Sequence, residues 1–187
     1  TSQKITKEPI PDQLRRLYLG GEGINDWLLW QHFLKVNPQI DPMSPDNVLI
    51  AGLGILGGTG FGGGSKMKWT FKSPAYNTFA DSTCGGLFGS MMRWAGYDHL
   101  VITGKSSQPV YLWIDDDIVE IRNASQLWGK DVAETSKMLK KLLGEEAETA
   151  CVGLAAENGV TFSSIVASGH RISGRAGAGT VMASKKL

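Results

Sequence analysis

Val48-Leu49-Ile50-Ala51-Gly52-Leu53-Gly54-Ile55-Leu56-Gly57-Gly58-Thr59-Gly60-Phe61-Gly62-Gly63-Gly64 begins as a strand and ends as neither strand nor helix. Val48 to Ala51 is a short apolar run, the pattern of a buried strand. From Gly52 to Gly64, eight of thirteen residues are Gly. Such a run cannot sustain a helix, because each Gly costs about 1 kcal/mol relative to Ala in a helix interior. Gly52-Leu53-Gly54-Ile55-Leu56-Gly57 does spell G-x-G-x-x-G after a strand. A dinucleotide site also needs a helix after that motif and an acidic residue on the next strand, and neither follows. No Gly-Lys-Ser/Thr closes the run, so it is not a P-loop. Two readings stay open. One is a flexible surface connection. The other is a backbone cradle for a flat or phosphorylated ligand, with Ser65, Lys66 and Lys68 supplying polar and positive groups.

Upstream, Asp12 to Tyr18 reads as a short helix, with Leu14, Leu17 and Tyr18 at helical spacing, broken by Gly20, Gly21 and Gly23. A second helix is expected from Ile24 to Val36, with a broad, buried apolar side. His32 on that helix reads as structural. Pro38, Pro42 and Pro45 make Asn37 to Asp46 a loop. Downstream, Met67 to Phe71 alternates as a strand, Ala75 to Ser82 reads as a linker and Gly86 to Trp94 as a short helix. His99 to Thr103 is a strand. Val110 to Ile114 and Ile118 to Arg122 form a hairpin around Asp115, Asp116 and Asp117. Asp131 with Glu134 starts a helix that ends near Leu143, with Gly144 as its stop. Thr149 to Gly153 and Thr161 to Ala167 are further strands, and Ala178 to Leu187 reads as a helix in progress. The absence of a closing signal there suggests a piece of a longer protein. Strands and helices do not alternate as βαβ units, which favours an α+β fold over a doubly wound sheet.

The chain has 187 residues, enough for one domain with its own core. Nineteen Lys and Arg against eighteen Asp and Glu leave a net charge of +1, which gives no support to a nucleic-acid or membrane-surface protein. Cys84 and Cys151 are too few for a disulfide framework or a Cys-only metal site. No signal peptide is expected, and no apolar stretch approaches the ~20 residues that span a bilayer. A cytoplasmic, reducing compartment is the expectation. Gly is the anomaly: 24 residues, about 13%, against a usual level of about 7%.

That excess falls in three clusters. Beside the loop, Thr83-Cys84-Gly85-Gly86 is read as opening a helix whose free N–H groups attract an anion. Arg171 and Arg175, with Gly174, Gly177 and Gly179, form a third anion-friendly turn before a helix. Three such places suggest one large ligand with more than one phosphate. Cys84 reads either as a reactive thiol at a helix N-terminus or as a small residue beside a ligand, the second being preferred. Asp115 to Asp117 read as a turn rather than a cation site. His170 is the histidine closest to the third cluster. Glu157-Asn158 reads as a turn or a ligand contact.

The ordered set of motifs resembles the N-terminal domain of the tungsten-dependent aldehyde ferredoxin oxidoreductase family. The matching segments are Tyr18-Leu19-Gly20-Gly21-Glu22-Gly23, Ser44-Pro45-Asp46-Asn47 with the Gly-rich loop, and Lys72-Ser73-Pro74. Gly85-Gly86-Leu87-Phe88-Gly89, Ala95-Gly96-Tyr97-Asp98 and Pro109-Val110-Tyr111-Leu112 follow, then Leu127-Trp128-Gly129-Lys130 and Ala156-Glu157-Asn158. Gly169-His170-Arg171 and Gly174-Arg175-Ala176-Gly177-Ala178-Gly179 close the match.

The resemblance implies two β-sheets forming the floor of a bis-pterin site, in which two molybdopterins hold one tungsten, with molybdenum as an option, and their phosphates share a magnesium ion. Residues 1–187 would be the N-terminal cofactor-binding domain. Carried onto this chain, the cofactor positions are Lys66, Thr83, Cys84, Gly85, Gly86, Arg175, Ala176, Gly177 and Gly179. Arg175 would grip phosphate, and Thr83 and Ala176 would offer backbone oxygens to magnesium. Lys66 stands where the family often has Arg, and Thr83-Cys84 where Asn-Ser is commoner. No catalytic residue is expected in this chain. A four-iron four-sulfur cluster would be bound by later domains, electrons would pass to ferredoxin or another carrier, and the substrate would be a small aldehyde or acyl compound. A homo-oligomer is expected, without nucleic acid or membrane. Two other functions fit the same residues: the tungsten subunit of a class II aryl-CoA reductase, and a non-enzymatic Gly-rich module that binds a phosphorylated ligand.

Overall fold

The computed structural model describes residues 4–187; residues 1–3 and the side chain of His32 lie outside the described residues. At its centre is β1 (Leu49–Leu53), all five residues of which are buried. A strand buried on both faces must lie between neighbours and between layers. β1 accordingly pairs antiparallel with β2 (Met67–Lys72) on one side and β4 (His99–Ile102) on the other. β3 (Phe79–Cys84) pairs antiparallel with β2, giving the order β3-β2-β1-β4. Both neighbours of β1 are antiparallel, so the motif after it does not sit in a βαβ unit.

Side-chain alternation divides the sheet into two faces. Leu49, Ala51, Leu53, Met67, Trp69 and Phe71 join the larger core, which α6 (Ala178–Ser184) and α3 (Phe88–Trp94) cover. Burying a side chain such as Phe71 or Leu49 stabilises the fold by roughly 1.5–3 kcal/mol. Val48 and Ile50 face the other way, against Leu29 of α2 (Gly21–Leu29). α1 (Asp12–Tyr18) precedes α2 and buries none of its residues. The expected helix to Val36 runs as α-helix to Leu29 and then widens into a π-helical turn, Trp30–Leu34.

β5 (Val110–Asp115) and β6 (Ile118–Asn123) form a separate hairpin, with Asp116 in the left-handed region at φ +48°. Asp116 and Asp117 are therefore the turn, and Asp115 is the last residue of β5, paired with Ile118. α4 (Val132–Leu143) starts where Asp131 Oδ1 accepts from Glu134 N at 2.7 Å, and Gly144 follows its end. A third sheet has the order β7-β8-β9: β7 (Ala150–Cys151), β8 (Ile165–Ala167) and β9 (Arg171–Ser173). α5 (Leu154–Glu157) lies between β7 and β8. The fold is α+β, with three hydrogen-bonded sheets where the resemblance implies two.

Four local readings are corrected. Ala75 to Ser82 is not a linker through its length; from Phe79 it is strand β3, with Ala80, Ser82 and Cys84 buried in alternation. Thr161 to Ser164 is not strand, because it runs beside the start of α6, where Ser163 O accepts from Gly179 N. The turn read around Arg171 is strand β9 up to Ser173. The last helix ends at Ser184, and the tail returns to the hairpin, where Val110 N donates to Lys186 O at 2.8 Å. Lys185 anchors that return. Its buried ammonium donates to the carbonyls of Asn47 and Gly104, and burial lowers its pKa to about 8.

Candidate functional site

Strand register brings the first two Gly clusters together. β1 pairs Leu53 with Met67, and β2 pairs Met67 with Cys84. One end of the sheet therefore releases the Gly-rich loop from β1, receives Lys66 into β2, and releases Gly85-Gly86 from β3. The third cluster arrives along the outer side of β3. Arg175 N donates to Ser82 Oγ at 3.2 Å. Two residues past the end of β3, a Cβ on Gly86 would meet Ser168 Oγ at 2.5 Å and Arg171 Cγ at 3.0 Å. Lys66, Thr83 to Gly86 and Arg175 thus share one edge of the molecule.

The Gly-rich loop is pinned at its base and open at its tip. Arg93 of α3 donates to the carbonyls of Ile55 at 2.9 Å and Gly57 at 2.7 Å, and its guanidinium also pairs with Asp98 at 2.8 Å. Trp94 Nε1 donates to Gly58 O at 2.8 Å. At the root, Gly52 is wedged against Asn25 and His99, and Gly57 against the Leu53 side chain, closer than any real Cβ could come. At Gly60, Gly62 and Gly63, and also at Gly54 and Gly85, a Cβ would have no heavy atom within 4 Å. These are the positions with room for a ligand.

Gly177 and Gly179 are different. A Cβ on Gly177 would collide with Thr161 O, and one on Gly179 with Ser164 O. Both residues are buried where α6 packs on the 161–164 segment, so they serve helix packing. Gly177 is also left-handed, at φ +86°. Ala176 is buried and held at φ +64°, and its carbonyl oxygen accepts from Ser73 Oγ at 2.6 Å.

The helix N-termini expected to attract an anion are partly occupied from within the fold. α3 begins at Phe88, and the N–H groups of Leu87 and Phe88 both donate to Ser168 Oγ, at 2.9 and 3.2 Å. At the start of α6, Gly179 N is taken by Ser163 O. Side chains provide the positive character instead. Lys66, Arg171 and Arg175 are exposed, and among the described residues none of their side chains has an ion pair or hydrogen bond. Other cations nearby are engaged: Lys68 contacts Glu22 at 3.0 Å and Asp81. Burial works against the Lys68 charge, but those two hydrogen bonds outweigh it and raise the pKa. Asp26, on the same side, is pushed up to about 6 by burial and by the charges of Glu22 and Asp81.

Cys84 is buried, and burial raises its thiol pKa, so the small-residue reading replaces the reactive one. Glu157 accepts from Gly129 N at 2.9 Å, and Asn158 Nδ2 donates to Leu154 O at 2.8 Å; both are structural. His170 is exposed on the β8–β9 turn. His99 Nδ1 donates to Asn25 Oδ1 at 2.7 Å, and burial lowers its pKa to about 4. Sequence reasoning passed over Ser82, Ser168, Arg93 and Trp94, and it quoted Ser73 without a role. Only Ser73 carried a signal, the Lys72-Ser73-Pro74 motif.

The open glycines beside three unpaired cations fit a large anionic ligand. Among the described residues, no three His, Cys, Asp or Glu side chains gather to hold a metal. Among the same residues, no helix is long and apolar enough to cross a membrane.

Comparison with known proteins agrees with the motif set. The family described as aldehyde ferredoxin oxidoreductase, N-terminal domain, matches residues 1–187. The tungsten-containing aldehyde ferredoxin oxidoreductase of Pyrococcus furiosus is 40% identical over 184 residues, covering 98% of this chain and 30% of the relative. Its counterpart in Thermococcus kodakarensis is 41% identical over 185 residues, with the same two shares. Among solved structures, the BamBC active site complex of benzoyl coenzyme A reductase with 1,5-dienoyl-CoA superposes with a TM-score of 0.93 at 39% identity, covering 98% of this chain and 28% of that one. The chain spans about a third of the length of the curated relatives it matches. Fold, motif order and 40% identity across nearly the whole chain lead to one conclusion: this chain belongs to the N-terminal domain family of the aldehyde ferredoxin oxidoreductases.

Proposed function

We propose that this domain is the floor of a tungsten bis-molybdopterin site in an oxidoreductase that converts aldehydes to carboxylic acids. The observation that carries the reading is the Leu53–Met67–Cys84 register, which sets the loop, Lys66 and Gly85-Gly86 on one edge. Lys66 would contact the pterin, and Arg175 would hold the cofactor's phosphates in a two-pronged, permanently charged grip. Gly85 and the loop tip would let backbone approach the flat pterins. Backbone oxygens of Thr83 and Ala176 would serve the magnesium between the phosphates. Cys84, Gly86, Gly177 and Gly179 shape this edge from behind. When bound, the tungsten group, or its molybdenum equivalent, supplies a centre that takes two electrons from the substrate. This chain's own residues bind, orient and neutralise charge; a four-iron four-sulfur cluster and the acid–base groups would belong to the rest of the protein. Ferredoxin would receive the electrons, in the cytoplasm, and the enzyme would be a homo-oligomer.

A second reading, the tungsten subunit of a class II aryl-CoA reductase, is favoured by the 39% identity to the benzoyl coenzyme A reductase complex. Both readings use the same floor and differ in substrate. The full-length protein, purified without oxygen, is expected to contain tungsten and pterin phosphate and to oxidise an aldehyde. Activity with a dienoyl-CoA and none with aldehydes would select the second reading. Arg175→Ala should weaken cofactor binding by roughly 1.5–3 kcal/mol, the worth of a charge-assisted hydrogen bond, and Arg175→Lys by less. Parent-level pterin and tungsten in Arg175→Ala would remove the phosphate role.

A further inference from the structure

Ser73 and Ser82 lie on the same face of the β2–β3 hairpin. Ser82 pairs across the strands with Trp69, and Ser73 continues the row of Trp69 and Phe71 just past the end of β2. Both are buried, Ser73 completely and Ser82 at 5% exposure. Their hydroxyls reach the same two residues. Ser82 Oγ accepts from Arg175 N at 3.2 Å, and Ser73 Oγ donates to Ala176 O at 2.6 Å. The Arg175-Ala176 segment is thus bracketed from its first N–H to its last carbonyl.

The Ser73 hydroxyl has no freedom left. It accepts from Ala75 N at 3.1 Å and Tyr76 N at 3.2 Å, which uses both oxygen lone pairs. Its one proton must then point at Ala176 O. This matters because Ala176 sits at φ +64°, which costs a non-Gly residue about 1–2 kcal/mol. Strain of this kind persists only when surrounding bonds determine it, and it collects where a segment must be held ready for a ligand.

We propose that Ser73 and Ser82 are positioning residues that fix the Arg175-Ala176 backbone, and with it the root of the Arg175 side chain and the direction of the Ala176 carbonyl, before the cofactor arrives. The inference rests on the cofactor reading above. Preorganisation of this kind lowers the ordering cost paid on binding. Ser73 itself acts through Ala176, to which its hydroxyl donates.

The test uses the full-length protein purified without oxygen. Ser73→Ala and Ser82→Ala are made singly and together. Ser82→Thr keeps a hydroxyl at a strand position that accepts a β-branched residue. Ser136→Ala is the control; its hydroxyl is buried against Thr149 Oγ1 at 2.9 Å, between α4 and the third sheet. Pterin phosphate and tungsten per chain are measured after gel filtration, with the melting temperature of each cofactor-free protein alongside. Each Ser→Ala variant at the clamp is expected to retain less than a third of the parent's cofactor. The double variant should lose little more than the singles, because one clamp is broken either way. Ser82→Thr should recover retention, and Ser136→Ala should hold cofactor at the parent level even if it melts earlier. If Ser73→Ala does not fold, Ser82→Ala with its Thr rescue still decides. Parent-level retention in Ser82→Ala, or an equal loss in Ser136→Ala, overturns the clamp and leaves the cofactor reading standing. A parent protein without pterin overturns the reading itself, and the clamp with it.

Discussion

The tip of the Gly-rich loop and the start of α6 at Gly177 and Gly179 are both rich in Gly, for opposite purposes. At Gly60, Gly62 and Gly63 a side chain would enter empty space. At Gly177 and Gly179 it would enter the backbone of Thr161 and Ser164. The first region keeps room for something outside the fold; the second removes room so that α6 can close on the 161–164 segment. A Gly cluster therefore states that backbone comes close, but not to what. The neighbours decide whether that is a ligand or the protein itself. Between the two regions stands the root of the loop, where Gly52 is wedged against Asn25 and His99.

The largest effect is expected at the closed turn. Gly177→Ala combines a left-handed φ of +86° with a collision against Thr161 O. Strain and overpacking together should cost about 3 kcal/mol or more. Urea denaturation would show it as a lower midpoint, or the variant would fail to accumulate in soluble form. A Gly177→Ala protein as stable as its parent would break the contrast between the two regions.

The root of the loop should respond to pH. The folded His99 pKa of about 4 lies below its ordinary 6.5, so between those values the unfolded chain binds more protons. Its contribution to stability is complete above pH 6.5 and falls as pH drops towards 4, by up to about 1.4 kcal/mol per pH unit. Asp26, raised from 3.8 to about 6, works in the opposite sense between pH 3.8 and 6 and softens the slope. His99→Gln should flatten the acid loss seen in urea midpoints at pH 7 and pH 4.5. Identical slopes in parent and variant would place the acid sensitivity elsewhere.

The smallest effect on stability should come at the open tip. Gly62 has no left-handed φ and no neighbour, so Gly62→Val should change folding stability by less than about 0.5 kcal/mol. Gly63, at φ +79°, is the poorer probe because any side chain there also strains the backbone. Gly62→Val should nevertheless strip the full-length protein of pterin and tungsten. Full cofactor content in that variant would show that the tip is only a surface turn.

The sequence by itself determined the elements whose cause is local. The Asp131 cap with Glu134, the Asp116–Asp117 hairpin turn, the buried run of β1 and the exclusion of a dinucleotide helix after Gly57 all follow from residues a few positions apart. The ordered motifs also fixed the family. What the tertiary structure decided depended on partners far away in the chain. β3 was hidden because Ala75 to Ser82 has no strong strand pattern until it pairs with β2. Phe88 N and Gly179 N, at the starts of α3 and α6, are taken by Ser168 and Ser163, 80 and 16 residues away in the chain. Lys66 and Gly85 became neighbours through strand register, and Arg175 joined them through one hydrogen bond to Ser82. Local chemistry is written in short spacings. The company a polar group or a glycine keeps is settled only when the chain closes on itself, because hydrogen-bond donors and empty volume go to whichever atoms arrive.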